Sequence, residues 1–121
     1  MTPYTTPCER GDVVLVPFPF TNLITDKKRP AVILSANWYN SVGKDLILAK
    51  ITGSISNSIN RDEVLLSSDE LSSAGLVKTS IIQVGRVFSL EKTLVIKKLG
   101  HLTDDTLNKI DLIIKDIFGI G

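Results

Sequence analysis

Two short stretches hold the residues of this chain best suited to act on an anion. In the first, Lys27-Lys28-Arg29 stands directly before Pro30. A proline pushes the residue before it towards extended backbone, so the Arg29 guanidinium starts from a fixed place. In the second, Thr52-Gly53-Ser54 sets two hydroxyls around a glycine at the end of an apolar run. Such a sequence can offer donors and exposed amides to a phosphate, and it also reads as an ordinary turn. A further cation, Arg86, follows Gly85 inside a strand-like segment, where a glycine often marks a bulge that re-aims its neighbours. Other chemistries find little support. With 1 His and 1 Cys the chain has no histidine pair, no internal disulfide and no cysteine-rich metal site. Its carboxylates are not clustered as a two-metal centre needs. What remains is arginine with hydroxyls. Arginine stays cationic and clamps phosphate in a bidentate way, although a lone arginine also reads as a solvated or ion-paired surface residue.

The elements that must position these residues follow from periodicity and punctuation. Gly11 to Ser35 reads as two apolar strands around a polar, basic loop, Thr21 to Arg29. The Pro17-Phe18-Pro19-Phe20 run ends the first strand, because proline cannot donate to a ladder. Asp45 to Thr52 is nearly continuous in apolar character and predicts a central strand covered on both faces. Between these lie Trp38 and Tyr39 in a turn-like context, readable as a cap over the core or as a stacking surface for unpaired bases. Glu63 to Leu66 is a short strand. Ser67 with Glu70 has capping-box spacing for a helix of about two turns, with Gly75 as its stop. Lys78 to Val84 and Arg86 to Phe88 are strand-like, as is Thr93 to Ile96. Thr103-Asp104-Asp105 then opens an amphipathic helix. Leu107, Ile110, Ile113, Ile114, Ile117 and Phe118 share one of its faces. His101, just before it, reads as a structural turn residue.

At 121 residues the chain is of single-domain size, able to bury roughly two-thirds of its unfolded surface. The expected organisation is one domain over residues 1–121, with an N-terminal arm at 1–10 and a C-terminal helix at 103–118. A formal net charge of +1 excludes a global cationic field, so a polyanion would have to meet a local basic patch. No apolar run approaches a membrane span and no signal-peptide pattern precedes Gly11, which makes a cytoplasmic location the expectation. Cys8 has no neighbour in sequence that would obviously lower its pKa.

Three ordered blocks carry a family resemblance. Gly11-Asp12-Val13-Val14-Leu15-Val16-Pro17-Phe18 followed by Lys28-Arg29-Pro30-Ala31-Val32-Ile33-Leu34-Ser35 resembles the opening of the MazF/PemK toxin endoribonucleases. Asp45 to Ser54 resembles that family's second block, and Gly75-Leu76 through Arg86 its third. The resemblance implies a mainly β fold, a small SH3-like antiparallel barrel with short helical insertions and a C-terminal helix. It implies a homodimer and a metal-independent, sequence-specific cut of single-stranded RNA that leaves a 2′,3′-cyclic phosphate and a 5′-hydroxyl, with no cofactor. By position, Arg29 matches the catalytic arginine and Thr52 the catalytic threonine. Arg86 resembles a second arginine used in some members, in a differently composed segment. Lys28, Ser54, Lys78, Phe18 and Thr21 are the accompanying RNA-binding candidates. A small MazE/PemI-like antitoxin is the implied protein partner.

Two alternatives stand beside this reading. CcdB-like gyrase poisons share this kind of fold and end in Trp-Gly-Ile, whereas this chain ends in Phe118-Gly119-Ile120-Gly121, without the tryptophan. A homologue that binds RNA or an antitoxin without cutting is the other.

Overall fold

The computed structural model describes residues 7–18, 27–55 and 58–121. Its centre is one curled antiparallel sheet of six strands. The strands are β1 (Asp12–Pro17), β2 (Lys28–Ile33), β3 (Asp45–Thr52), β4 (Glu63–Leu66), β5 (Ser80–Glu91) and β6 (Lys97–His101). Their order in space is β4-β5-β3-β2-β1-β6. The expected barrel is therefore a half-barrel, with β4 and β6 at its two edges. Three helices complete the fold: α1 (Asn37–Val42), α2 (Asp69–Ala74) and α3 (Asp104–Phe118).

Alternation along the strands gives the sheet two apolar faces. On one, Val13, Val32, Ala49, Ile51, Ile82 and Val84 are buried with Ile110 of α3. On the other, Val14, Val16, Ala31, Ile33, Leu46, Leu48, Leu90 and Val95 form a second cluster. β3 contributes to both, as its unbroken apolar sequence requires.

α3 docks as its pattern predicts, but over less of its length. Thr103 caps it by accepting from the Thr106 N–H at 3.3 Å, and Gly119 ends it in the left-handed conformation. Leu107, Ile113 and Ile114 pack on the core around Ile110. Ile117 and Phe118, expected on the same face, are exposed. At α2 the capping box does not form. The helix begins at Asp69, and Glu70 instead accepts a bond from the Thr106 hydroxyl at 3.0 Å, tying α2 to the first turn of α3. Gly75 does stop α2, at φ +72°. A Cβ on Gly75 would run into the Leu99 carbonyl, and one on Gly100 into the backbone of Ser73 and Ala74. Two glycines thus let the end of α2 rest directly on the backbone of β6.

Other segments differ from their sequence reading. Trp38 and Tyr39 belong to helix α1, and Trp38 is 68% exposed, so it caps nothing. Lys92 to Leu94 forms a single 3-10 turn in place of the expected strand at Thr93 to Ile96. The expected arm at 1–10 lies outside the described residues as far as Thr6, but its last residue is well anchored. Arg10 donates to the Leu34 carbonyl at 3.0 Å and pairs with Asp111 of α3. Burial, with help from the nearby Asp12 carboxylate, pushes the Cys8 thiol up from its ordinary value against the opposing pull of Lys92 and Lys98. Among the described residues no helix is long and apolar enough to cross a membrane.

A candidate anion-binding cleft

The face of β2 that buries Ala31 and Ile33 continues to Arg29. The face of β3 that buries Leu46 and Leu48 continues to Lys50 and Thr52. β2 and β3 pair with Ala31 opposite Lys50, Val32 opposite Ala49 and Ile33 opposite Leu48. Extending that antiparallel register by two residues sets Arg29 beside Thr52. One sheet face thus changes from aliphatic at one end to cationic and hydroxylic at the other.

That polar end opens into a cleft of about 500 Å³. Arg29, Lys50 and Thr52 line its floor, and Phe18, just past β1, lines one side. The Phe18 N–H donates to the Lys27 carbonyl at 2.8 Å, which fixes the chain there. The opposite wall is the segment from Gly75 to Lys78 that leaves α2, backed by Leu99 of β6. Val77 projects from this wall fully exposed.

Each polar group has a stated place. The Thr52 hydroxyl accepts the Ser54 N–H at 3.1 Å, which holds its oxygen in place and leaves its own proton available to donate. The end of the Lys78 side chain lies over Gly53, where a Cβ would collide with it, so the glycine brings that ammonium group over the strand end. The Phe18 ring meets two cations, with Arg29 Cζ at 5.8 Å and Lys50 Nζ at 4.7 Å from its centroid. No carboxylate and no imidazole lines the cleft among the described residues. It is therefore positive, and among the described residues it offers hydroxyls but none of the carboxylates that commonly anchor hard divalent ions.

Of the residues singled out in the sequence, the structure brings Arg29, Thr52, Ser54, Lys78 and Phe18 to this one cleft. Lys28, one residue before Arg29 on β2, is exposed and does not line it. Thr21 lies outside the described residues. Arg86 is exposed on β5 and is not a lining residue of the cleft. It sits where the β3–β5 register jumps from Val87 opposite Ala49 to Gln83 opposite Lys50, so Gly85 does mark a bulge. Trp38 and Tyr39 follow the far end of β2 and line no part of the cleft. Lys50 was missed. Its sequence signal was a lone cation within the apolar run Leu46 to Ile51, spaced two residues from Thr52 and so on the same strand face.

His101 and the only three-residue group of potential metal ligands among the described residues lie elsewhere. His101 Nδ1 stands 2.7 Å from Oδ1 of the buried Asp12, with Glu9 nearby. The Lys98 ammonium also reaches Asp12 Oδ1, at 3.2 Å, and the Glu9 N–H donates to Oδ2 at 3.0 Å. The carboxylate is satisfied by its own chain, and the group joins β1 to β6 as a structural lock.

A curled antiparallel sheet with a basic, hydroxyl-bearing cleft at one end defines a small β-rich protein. Residues 9–118 match the family of PemK-like, MazF-like toxins of type II toxin-antitoxin systems, and the chain belongs to that family. Among solved structures it is similar to an endoribonuclease from a mycobacterial species, in complex with its cognate antitoxin, at 20% identity and TM-score 0.76, covering 97% of this chain and 98% of that one. A MazE–MazF complex from Deinococcus radiodurans gives 19% and 0.75, over 97% and 100% of the two chains. The Mycobacterium tuberculosis toxin MazF-mt6 gives 16% and 0.72, over 91% and 98%. No curated protein sequence matches the chain at a significant level.

Proposed function

We propose that this toxin-family protein is an endoribonuclease that cuts single-stranded RNA within the Arg29–Thr52 cleft without a metal ion. The observation that carries this reading is the convergence of Arg29, Thr52 and Lys78 on one cleft with no carboxylate among its described lining residues. In the proposed reaction the ribose 2′-hydroxyl oxygen attacks the adjacent phosphorus, its proton passing to solvent, and the bond to the 5′-oxygen breaks as that oxygen takes up a proton from solvent. The products are a 2′,3′-cyclic phosphate and a 5′-hydroxyl. Negative charge grows on the phosphoryl oxygens in the transition state, and preorganised donors aimed at it lower the barrier. Arg29 supplies a planar cationic fork for that charge, and Thr52 supplies an oriented hydroxyl. Lys78 and Ser54 hold the strand at the cleft wall, the lysine through an electrostatic contribution that weakens with salt and the serine through its hydroxyl. Arg86, off the cleft of a single protomer, has no assigned part in this step.

The same reading includes a preference for a particular RNA sequence, a homodimer, a cytoplasmic location and a small antitoxin that blocks the cleft. The mycobacterial and Deinococcus neighbours, solved with their antitoxins, support the last of these. The gyrase-binding alternative gains no support. Ile120 is exposed beyond the end of α3, but the chain has no tryptophan there.

The test is cleavage of an unstructured RNA by purified protein in excess EDTA, with the ends analysed chemically. Cleavage by the wild type and its loss in a folded Arg29→Ala variant is the expected result. Loss of activity with chelator, or full activity in Arg29→Ala, would refute the mechanism. RNA binding without any cleavage would favour the non-cutting homologue.

A further inference from the structure

Lys50 is half-buried on β3 between Ala49 and Ile51, both fully buried. A lysine there gives up hydration of its charge, and among the described residues no carboxylate forms an ion pair with it. Its support is the Phe18 ring, 4.7 Å from Nζ, and that same ring also seats Arg29. Two like charges held on one aromatic ring repel each other, and folding gains little from the arrangement. An anion entering the cleft would reverse the sign of that energy. With Arg29 aligned to Thr52 and Lys50 aligned to Ala31, the two cations stand at successive positions along the cleft floor.

We propose that Lys50 is a second phosphate-binding residue of this cleft. Seated by Phe18, it takes the phosphate next to the one gripped by Arg29 and Thr52, and so sets the register of the strand before cleavage. The proposal rests on the RNA-cleaving reading of the cleft, and it goes beyond it in assigning this residue and a second phosphate position.

The test uses a short fluorescent 2′-O-methyl oligoribonucleotide of mixed sequence, which lacks the attacking hydroxyl, titrated by anisotropy at stepped salt concentrations. Wild type, Lys50→Met, Lys50→Arg and Arg29→Ala are compared. Each phosphate neutralised on a single strand contributes about 0.7 to the slope of log affinity against log salt. Lys50→Met should flatten that slope by about 0.7 and weaken binding roughly 10-fold at low salt, with the curves converging at high salt. Lys50→Arg should keep the wild-type slope. Melting should show Lys50→Met at least as stable as wild type, and Lys50→Gln removes the same charge if methionine packs badly. A wild-type slope in Lys50→Met alongside a flattened one in Arg29→Ala would overturn the role of Lys50 and leave the cleft intact. Unchanged binding in both variants would instead overturn the cleft as the RNA site.

Discussion

Arg29 and Thr52 lie on different strands, and the β2–β3 register aligns them at the polar end of one sheet face. Neither side chain depends on a loop for its position. Thr52→Val keeps the shape and removes the hydroxyl, so cleavage should fall by about 10²–10³ in kcat, as when an oriented transition-state donor is lost. The fold should lose only about 1 kcal/mol, since the Ser54 N–H stays near solvent. Single-turnover cleavage with a urea melt measures both. A Thr52→Val enzyme of wild-type rate would make the hydroxyl a turn-former only.

Phe18 is expected to act through the two cations that it seats. Phe18→Leu preserves apolar bulk but removes the ring face, worth about 0.5–1 kcal/mol or more for each of the two cations. RNA affinity should fall roughly 5- to 30-fold while the number of phosphates neutralised, read as the salt slope, stays constant. A changed slope would mean that the ring positions the strand itself.

The glycine contact between α2 and β6 should govern the cleft wall. Gly75→Ala and Gly100→Ala each force a Cβ into backbone and should cost about 1–3 kcal/mol. Because Leu76 to Lys78 continue from that contact, cleavage per folded molecule should fall as well. Urea unfolding alongside activity checks this, and full activity in a destabilised variant would separate the wall from the contact.

Asp12 is 1% exposed and joins His101, Lys98 and the Glu9 backbone. Asp12→Ala leaves those donors without their acceptor and, because the Lys98 and His101 side chains are partly exposed and can turn to water, should destabilise by about 1–3 kcal/mol. The folded fraction should still cleave RNA normally, because none of these residues lines the cleft. Reduced kcat in the folded fraction would give this group a functional part.

Cys8 has its thiol pKa raised by burial first and Asp12 second, so less thiolate is present at neutral pH than in an ordinary cysteine. Iodoacetamide should label the folded protein more slowly than the urea-unfolded chain near pH 8, and the rate should climb only at more alkaline pH. Equal rates in the two states would contradict the raised value.

Much of this was legible in the sequence, for identifiable reasons. β3 and β4 were read with the bounds they have, because a run of branched apolar residues between polar punctuation has few other outcomes. α3 was read from its capping threonine and its apolar stripe. The Ser67–Glu70 spacing misled because Glu70 has a competing partner in Thr106, a tertiary contact that no local pattern encodes. Lys50 was overlooked because a lysine within an apolar run looks like a defect until the register shows what stands beside it. The Lys27-Lys28-Arg29 cluster looked like one patch, yet only Arg29 of the three lines the cleft.

The cleft draws on Phe18, Arg29, Thr52, Lys78 and Leu99, so its parts are spread over most of the chain and its back wall belongs to the last strand. A nascent polypeptide therefore has no cleft until β6 has emerged and docked beneath the end of α2. The RNA cleavage proposed for this cleft would accordingly wait on the strand that completes its back wall.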